Sequence, residues 1–260
     1  MLDITSAQLD AWLATFMFPL ARLLGLFAVA PLWSSRGIPM RIRLVSGLAI
    51  TLVVLPALPP MPEVPADSWK TLELIAQQAL IGIAIGFVMR LFFAAVDLAG
   101  EMIGLQMGLS FAIFFSPTAG AQTVVLSEFL TLVTLLLFLA LDGHLMLVSV
   151  LVQSFEWLPV GATMNSDGWI QIVHHASAMF SIGVMMALPM IATLLIANIG
   201  LGILTRTAPQ LNLFAVGFPI TLTTGFIVLL LSVTVLGAAM QRMFEVGFEA
   251  IGQVLKLLAG

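Results

Sequence analysis

Six apolar stretches, each on the scale of a bilayer crossing, dominate this chain: residues 12–33, 44–60, 72–97, 126–151, 175–199 and 213–240. A helix needs roughly 20 apolar residues to span a hydrocarbon core, and six such runs within 260 residues leave little else. Charge is correspondingly scarce. Asp, Glu, Lys and Arg supply 8% of the chain, whereas soluble domains carry roughly 25%. The sequence therefore predicts an all-α membrane protein with about six long hydrophobic helices. A net charge of −4 with no basic stripe argues against nucleic acid as a partner. The absence of cysteine excludes disulfides and thiolate metal sites. The first ten residues hold two acids and no Lys or Arg, unlike a secretory signal, which predicts a retained N-terminus.

The connections orient the spans. Arg36, Arg41 and Arg43 lie in 34–43, and Arg206 in 200–212, so the positive-inside rule puts both connections in the cytoplasm. Connections 61–71, with Glu63, Asp67 and Lys70, and 152–174, with Glu156 and Asp167, then lie outside with both termini. The second stretch is short and ends in Pro56, Pro59, Pro60 and Pro62, a weak candidate for a complete crossing.

Few residues could carry chemistry. Arg90, Asp97 and Glu101 fall on one helical face at spacings of seven and four, as an ion-pair network or a proton path would require. Arg22 is alone in the first span and needs a carbonyl or a neighbouring subunit's acid. In Asp142-Gly-His144 a bend is expected at Gly143, with Asp142 and His144 hydrogen-bonding locally. His174 and His175 are adjacent, so their side chains diverge and lack a third metal ligand. Met185, Met186 and Met190 read as helix packing. No nucleophile elbow, zinc-protease motif or phosphate loop occurs, so no enzyme activity and no cofactor are expected.

One segment fits none of these categories. Residues 104–123, GLQMGLSFAIFFSPTAGAQT, carry no charge, yet Gly104, Gly108, Pro117 and Gly120 break them as a helix. Irregular backbone at membrane depth is tolerated only where it is buried in protein or lines a cavity.

Three stretches together resemble one family: GEMIGLQMGLSFAIFFSPTAG (100–120), FLALDGHLMLVSVLVQSFEWLPVG (138–161) and RTAPQLNLFAVGFPITL (206–222). This pattern is similar to the FliR family of flagellar biosynthetic membrane proteins, whose injectisome counterpart is SctT. Asp142 departs from it, since the family often has Asn before Gly-His. The resemblance implies a FliP-like portion at 1–175 fused to a FliQ-like helical hairpin at 176–260, turning between Arg206 and Asn212. It implies a place in the type III export gate of the bacterial inner membrane, at the flagellar basal body, with parts displaced toward the periplasm. The implied partners are FliP, FliQ and FlhB, with unfolded flagellar proteins in transit. The implied channel plug comprises Met107, Gly108, Phe111, Phe114, Phe115, Pro117 and Gly120. Arg206, Pro209, Gln210 and Asn212 would contact partners at the cytoplasmic entrance. Two alternatives stand beside this reading. One is a small-solute secondary transporter coupled through Arg90, Asp97 and Glu101, although no repeated half is found. The other is a scaffold that nucleates the FliP ring without lining the path.

Overall fold

The computed structural model describes residues 6–35, 37–62, 64–65, 68–109, 125–207 and 213–260. They form seven α-helices and no strand: α1 (Ser6–Val29), α2 (Met40–Val54), α3 (Trp69–Met107), α4 (Val125–Ala140), α5 (Gly143–Trp157), α6 (Ser166–Thr207) and α7 (Leu213–Ala259). A single 3-10 turn, Leu55–Ala57, follows α2 where the prolines begin. Four helices are long and apolar enough to cross a membrane, or five if α4 and α5 count as one broken span. The fourth apolar stretch is thus two helices. The last two stretches extend into helices of 42 and 47 residues.

Two compact units emerge, neither continuous in sequence. The first holds Met1–Leu91, Leu139–Ala176 and Phe244–Gly260; the second holds Phe92–Phe138 and Ser177–Met243.

In the first unit α1 and α3 approach through glycine. A Cβ on Gly82 would overlap the Arg22 carbonyl, and one on Gly86 would lie 2.9 Å from the Leu26 carbonyl oxygen. Gly82 and Gly86 form a G-x-x-x-G step in an apolar helix, the spacing that lets backbones meet. Beside this crossing Arg22 is wholly buried. Its Nε donates to Gln78 Oε1 at 2.8 Å, and its Nη2 donates to the same oxygen. Nη1 donates to Ser154 Oγ at 2.8 Å, and Nη2 to the Leu158 carbonyl at 2.9 Å. The guanidinium carbon stands 3.7 Å from the centre of the Phe155 ring. The charge is therefore met by an amide, a hydroxyl, an aromatic face and a carbonyl. Leu158 is the C-cap of α5, so the cation sits at the negative end of that helix dipole. Arg22 finds the carbonyl partner expected of it inside its own chain, and no acid among the described residues.

The first unit also joins the start of α6 to the end of α7. The Asn165 amide donates to the Leu258 carbonyl at 2.9 Å, and a Cβ on Gly168 would collide with the Leu258 side chain. Early α6 against late α7 is antiparallel packing, as a hairpin requires.

The break between α4 and α5 falls at Asp142, one residue before the expected Gly143. Asp142 adopts φ 57°. Its amide donates to Leu139 O at 3.1 Å to close α4, and its carbonyl accepts from Leu145 and Met146 to open α5. No side-chain cap bond forms at Asp142. His144 Nδ1 is buried without a partner among the described residues, so the expected local side-chain pairing is not made. Asp and Asn are the non-glycine residues that best tolerate left-handed backbone, which explains why either can stand here.

In the second unit α4 runs antiparallel to α3. Phe93 meets Phe138 edge-on at 5.5 Å, and nearer the loop a Cβ on Gly100 would lie 2.5 Å from Ser127 Cα. Gly183 brings α6 against Ala95 and Leu98 in the same way. Met186 and Met190 are buried as packing residues, but Met185 is 70% exposed and takes no part in this core.

Arg22→Ala is expected to destabilise the purified chain by about 3–5 kcal/mol, because buried acceptors lose their donor. Arg22→Lys restores only part, since an ammonium lacks the planar fork; unfolding in detergent measures both. Asp142→Asn should be neutral, whereas Asp142→Val should cost about 1–2 kcal/mol for a branched residue at positive φ. Equal melting of those two variants would contradict the backbone account.

Candidate functional site

The charge-free segment 104–123 begins inside α3: Gly104 does not break the helix, which runs on to Met107, and the stop that follows is built from the sequence. Gly108 takes φ 84°. Its amide donates to Leu105 O at 3.0 Å, and the Leu109 amide donates to Gly104 O at 3.0 Å. These two bonds are the Schellman arrangement that ends a helix at a left-handed glycine. The residue before it, Met107, is wholly buried. Thr221 Oγ1 of α7 donates to the Met107 carbonyl at 3.2 Å. The Met107 side chain fills the space above Gly225, where an added Cβ would lie 2.5–2.7 Å from Cε, Cγ and Sδ. Met107 is thus a foot of the segment, seated between α3 and α7.

The other foot is the first turn of α4. Ser127 is buried; its hydroxyl donates to Asp97 Oδ1 on α3, and its backbone rests against Gly100. Thr131 donates to the same carboxylate oxygen at 3.3 Å. Gly100 lies seven residues before Met107, about 10 Å along a helix. Both ends of the uncharged segment are therefore fixed to the last turns of α3. Phe111, Phe114, Phe115, Pro117 and Gly120 fall outside the described residues, as do Pro209, Gln210 and Asn212. Arg206 is exposed in the last turn of α6, where a cation complements the helix dipole.

The other charged candidates are not brought together. Lys70 pairs with Glu73 at 3.1 Å, and among the described residues Arg90, Asp97 and Glu101 form no such pair with one another. Arg90 and Asp97 are exposed, and Glu101 is half-buried. Asp97 takes hydroxyl donors, for which the i, i+7 spacing gave no signal. No group of three or more metal-ligating side chains occurs among the described residues.

Sequence reasoning singled out Met107 and Gly108 but missed Ser127, Thr221 and Gly225. Only a small-residue step such as Thr221 to Gly225 marks a helix face made for close contact. Gly225→Leu should force Met107 from its seat and cost about 1–3 kcal/mol, the usual penalty of overpacking. Gly237→Leu on the same helix, where nothing lies within 4 Å, should leave the thermal stability of the purified chain unchanged. Equal losses in the two would remove Met107 as an anchor.

The family described as bacterial export proteins, family 1, matches residues 13–247. The flagellar biosynthetic protein FliR of Escherichia coli is 42% identical over 259 residues, covering 99% of each chain. The protein of that name from Pectobacterium carotovorum is 41% identical over 260 residues, 100% of this chain and 99% of its own. That of Bacillus subtilis is 28% identical over 247 residues, covering 94% of this chain and 95% of its own. Their name denotes flagellar assembly and no reaction. Matched across nearly its whole length, this chain belongs to the bacterial export proteins, family 1, and within them to the FliR family.

Proposed function

We propose that this protein is a non-enzymatic part of the flagellar type III export gate, and that residues 104–123 seal it when idle. With FliP and FliQ it completes a channel through the bacterial inner membrane, with FlhB near the cytoplasmic entrance. Unfolded flagellar proteins are the cargo. Arg206, Pro209, Gln210 and Asn212 form the turn that meets partners at that entrance, within a FliQ-like hairpin at 176–260. The antiparallel start of α6 and end of α7 supports that hairpin. The gate sits at the basal body, partly displaced toward the periplasm.

The observation that carries the seal is a charge-free segment held at both ends by buried contacts, Met107 at one foot and Ser127 at the other. A passage wide enough for an unfolded chain leaks ions unless something uncharged closes it. Phe111, Phe114 and Phe115 suit that task, because apolar side chains dewet a constriction. Gly108 turns the backbone out of α3, and Pro117 and Gly120 are residue types that disfavour helix. Met107 contributes by anchoring the segment.

The test is removal of Ser110–Ser116 in an otherwise complete gate, with ion conductance measured across the membrane. A standing leak with the complex intact is the expected result. A tight membrane with lost assembly would make the segment an interface element, the role of a ring-nucleating scaffold, and would sink the seal.

A further inference from the structure

We propose that the first turn of α2 binds the headgroup of an anionic phospholipid. Three separate features converge there. The first is uncompensated charge. Arg41 is exposed in that turn, and beside it Arg43 donates from Nη2 to the Ser35 carbonyl at 3.0 Å. Arg43 Nε is buried with no partner among the described residues. No Asp or Glu occurs between Asp10 and Glu63, and among the described residues neither arginine pairs with an acid.

The second is the placement of those cations. The N-cap is Pro39, which makes no side-chain cap bond, and the first turn holds no acid. Two arginines at the positive end of a helix dipole repel it, and a bound anion reverses both terms. The third is the surface around them. Only 11% of the Met40–Ala57 window is buried, against 61% for the window in α3. Met40, Ile42, Val45, Leu48, Leu52 and Val53 are all exposed. The 18 residues of that window rise about 27 Å, close to the roughly 30 Å of a hydrocarbon core. An apolar face of bilayer length, with cations confined to one end, fits acyl chains along the helix and a phosphate at Arg41 and Arg43. An acidic protein segment would match the charge but not the uncharged face beyond it.

The test uses the full-length chain in nanodiscs of phosphatidylcholine alone, or of phosphatidylcholine and phosphatidylglycerol in equal parts. Native mass spectrometry then reads the lipid that stays bound. The wild type should retain phosphatidylglycerol preferentially, with the preference falling roughly fivefold for each arginine removed. Arg41→Gln alone tests this without touching a described contact, and Arg41→Gln/Arg43→Gln should abolish the preference. Arg242→Gln, an exposed arginine on α7, should keep it. The proposal fails if the double variant still selects phosphatidylglycerol, or if Arg242→Gln loses the selection equally. It fails too if inorganic phosphate displaces the lipid preference, or if the wild type shows none while an acidic partner segment protects Arg41.

Discussion

A single buried cation organises the first unit. Arg22 comes from α1, its amide partner Gln78 from α3, and Ser154, Phe155 and Leu158 from the end of α5. Isolated charges in a low-dielectric interior cost several kcal/mol each unless their hydrogen bonds and countercharge are supplied. Here the countercharge is distributed: the carbonyl end of a helix, a π face and an oriented amide. Such an arrangement is stringent. A carboxylate could pair with the arginine from many angles, whereas a helix terminus, an amide and a ring must all be in place together. The glycine crossing at Gly82 and Gly86 brings α1 close enough to α3 for Arg22 to reach Gln78.

Helix length sets a second constraint. At 39, 42 and 47 residues, α3, α6 and α7 run to about 58, 63 and 70 Å at 1.5 Å per residue. A bilayer covers roughly 30 Å of hydrocarbon. Exposed apolar residues on α6 extend from Ile170 to Leu204, about 51 Å by the same rise. More apolar surface is displayed along one helix than one membrane can wet.

Much of this was legible in the sequence. The helices follow from uninterrupted apolar runs, but the run read as 72–97 continues as helix through Gly104 to Met107 before Gly108 ends it. The G-x-x-x-G step at Gly82 and Gly86 lies in the sequence without signalling which helix it meets, although it marks a close helix crossing. What the sequence withheld were the partnerships of polar groups. Arg22 and Ser154 are 132 residues apart, and no local period links them. Asp97 looked like half of an ion pair because spacing puts Arg90 and Glu101 on its face. Its actual donors sit on another helix, where nothing in α3 could announce them. At Asp142 the reading favoured the glycine next door, since Gly is the usual residue at positive φ. The chain uses the aspartate instead, leaving Gly143 to begin a helix.

The two feet of the segment between α3 and α4 have a geometric consequence. Residues 110–124 number fifteen, and an extended chain advances at most about 3.6 Å per residue. The contour is therefore near 50 Å. A chain that must return to the helix it left can project only about half of that, some 25 Å from its moorings. The tether fixes a radius that no residue of the segment can exceed.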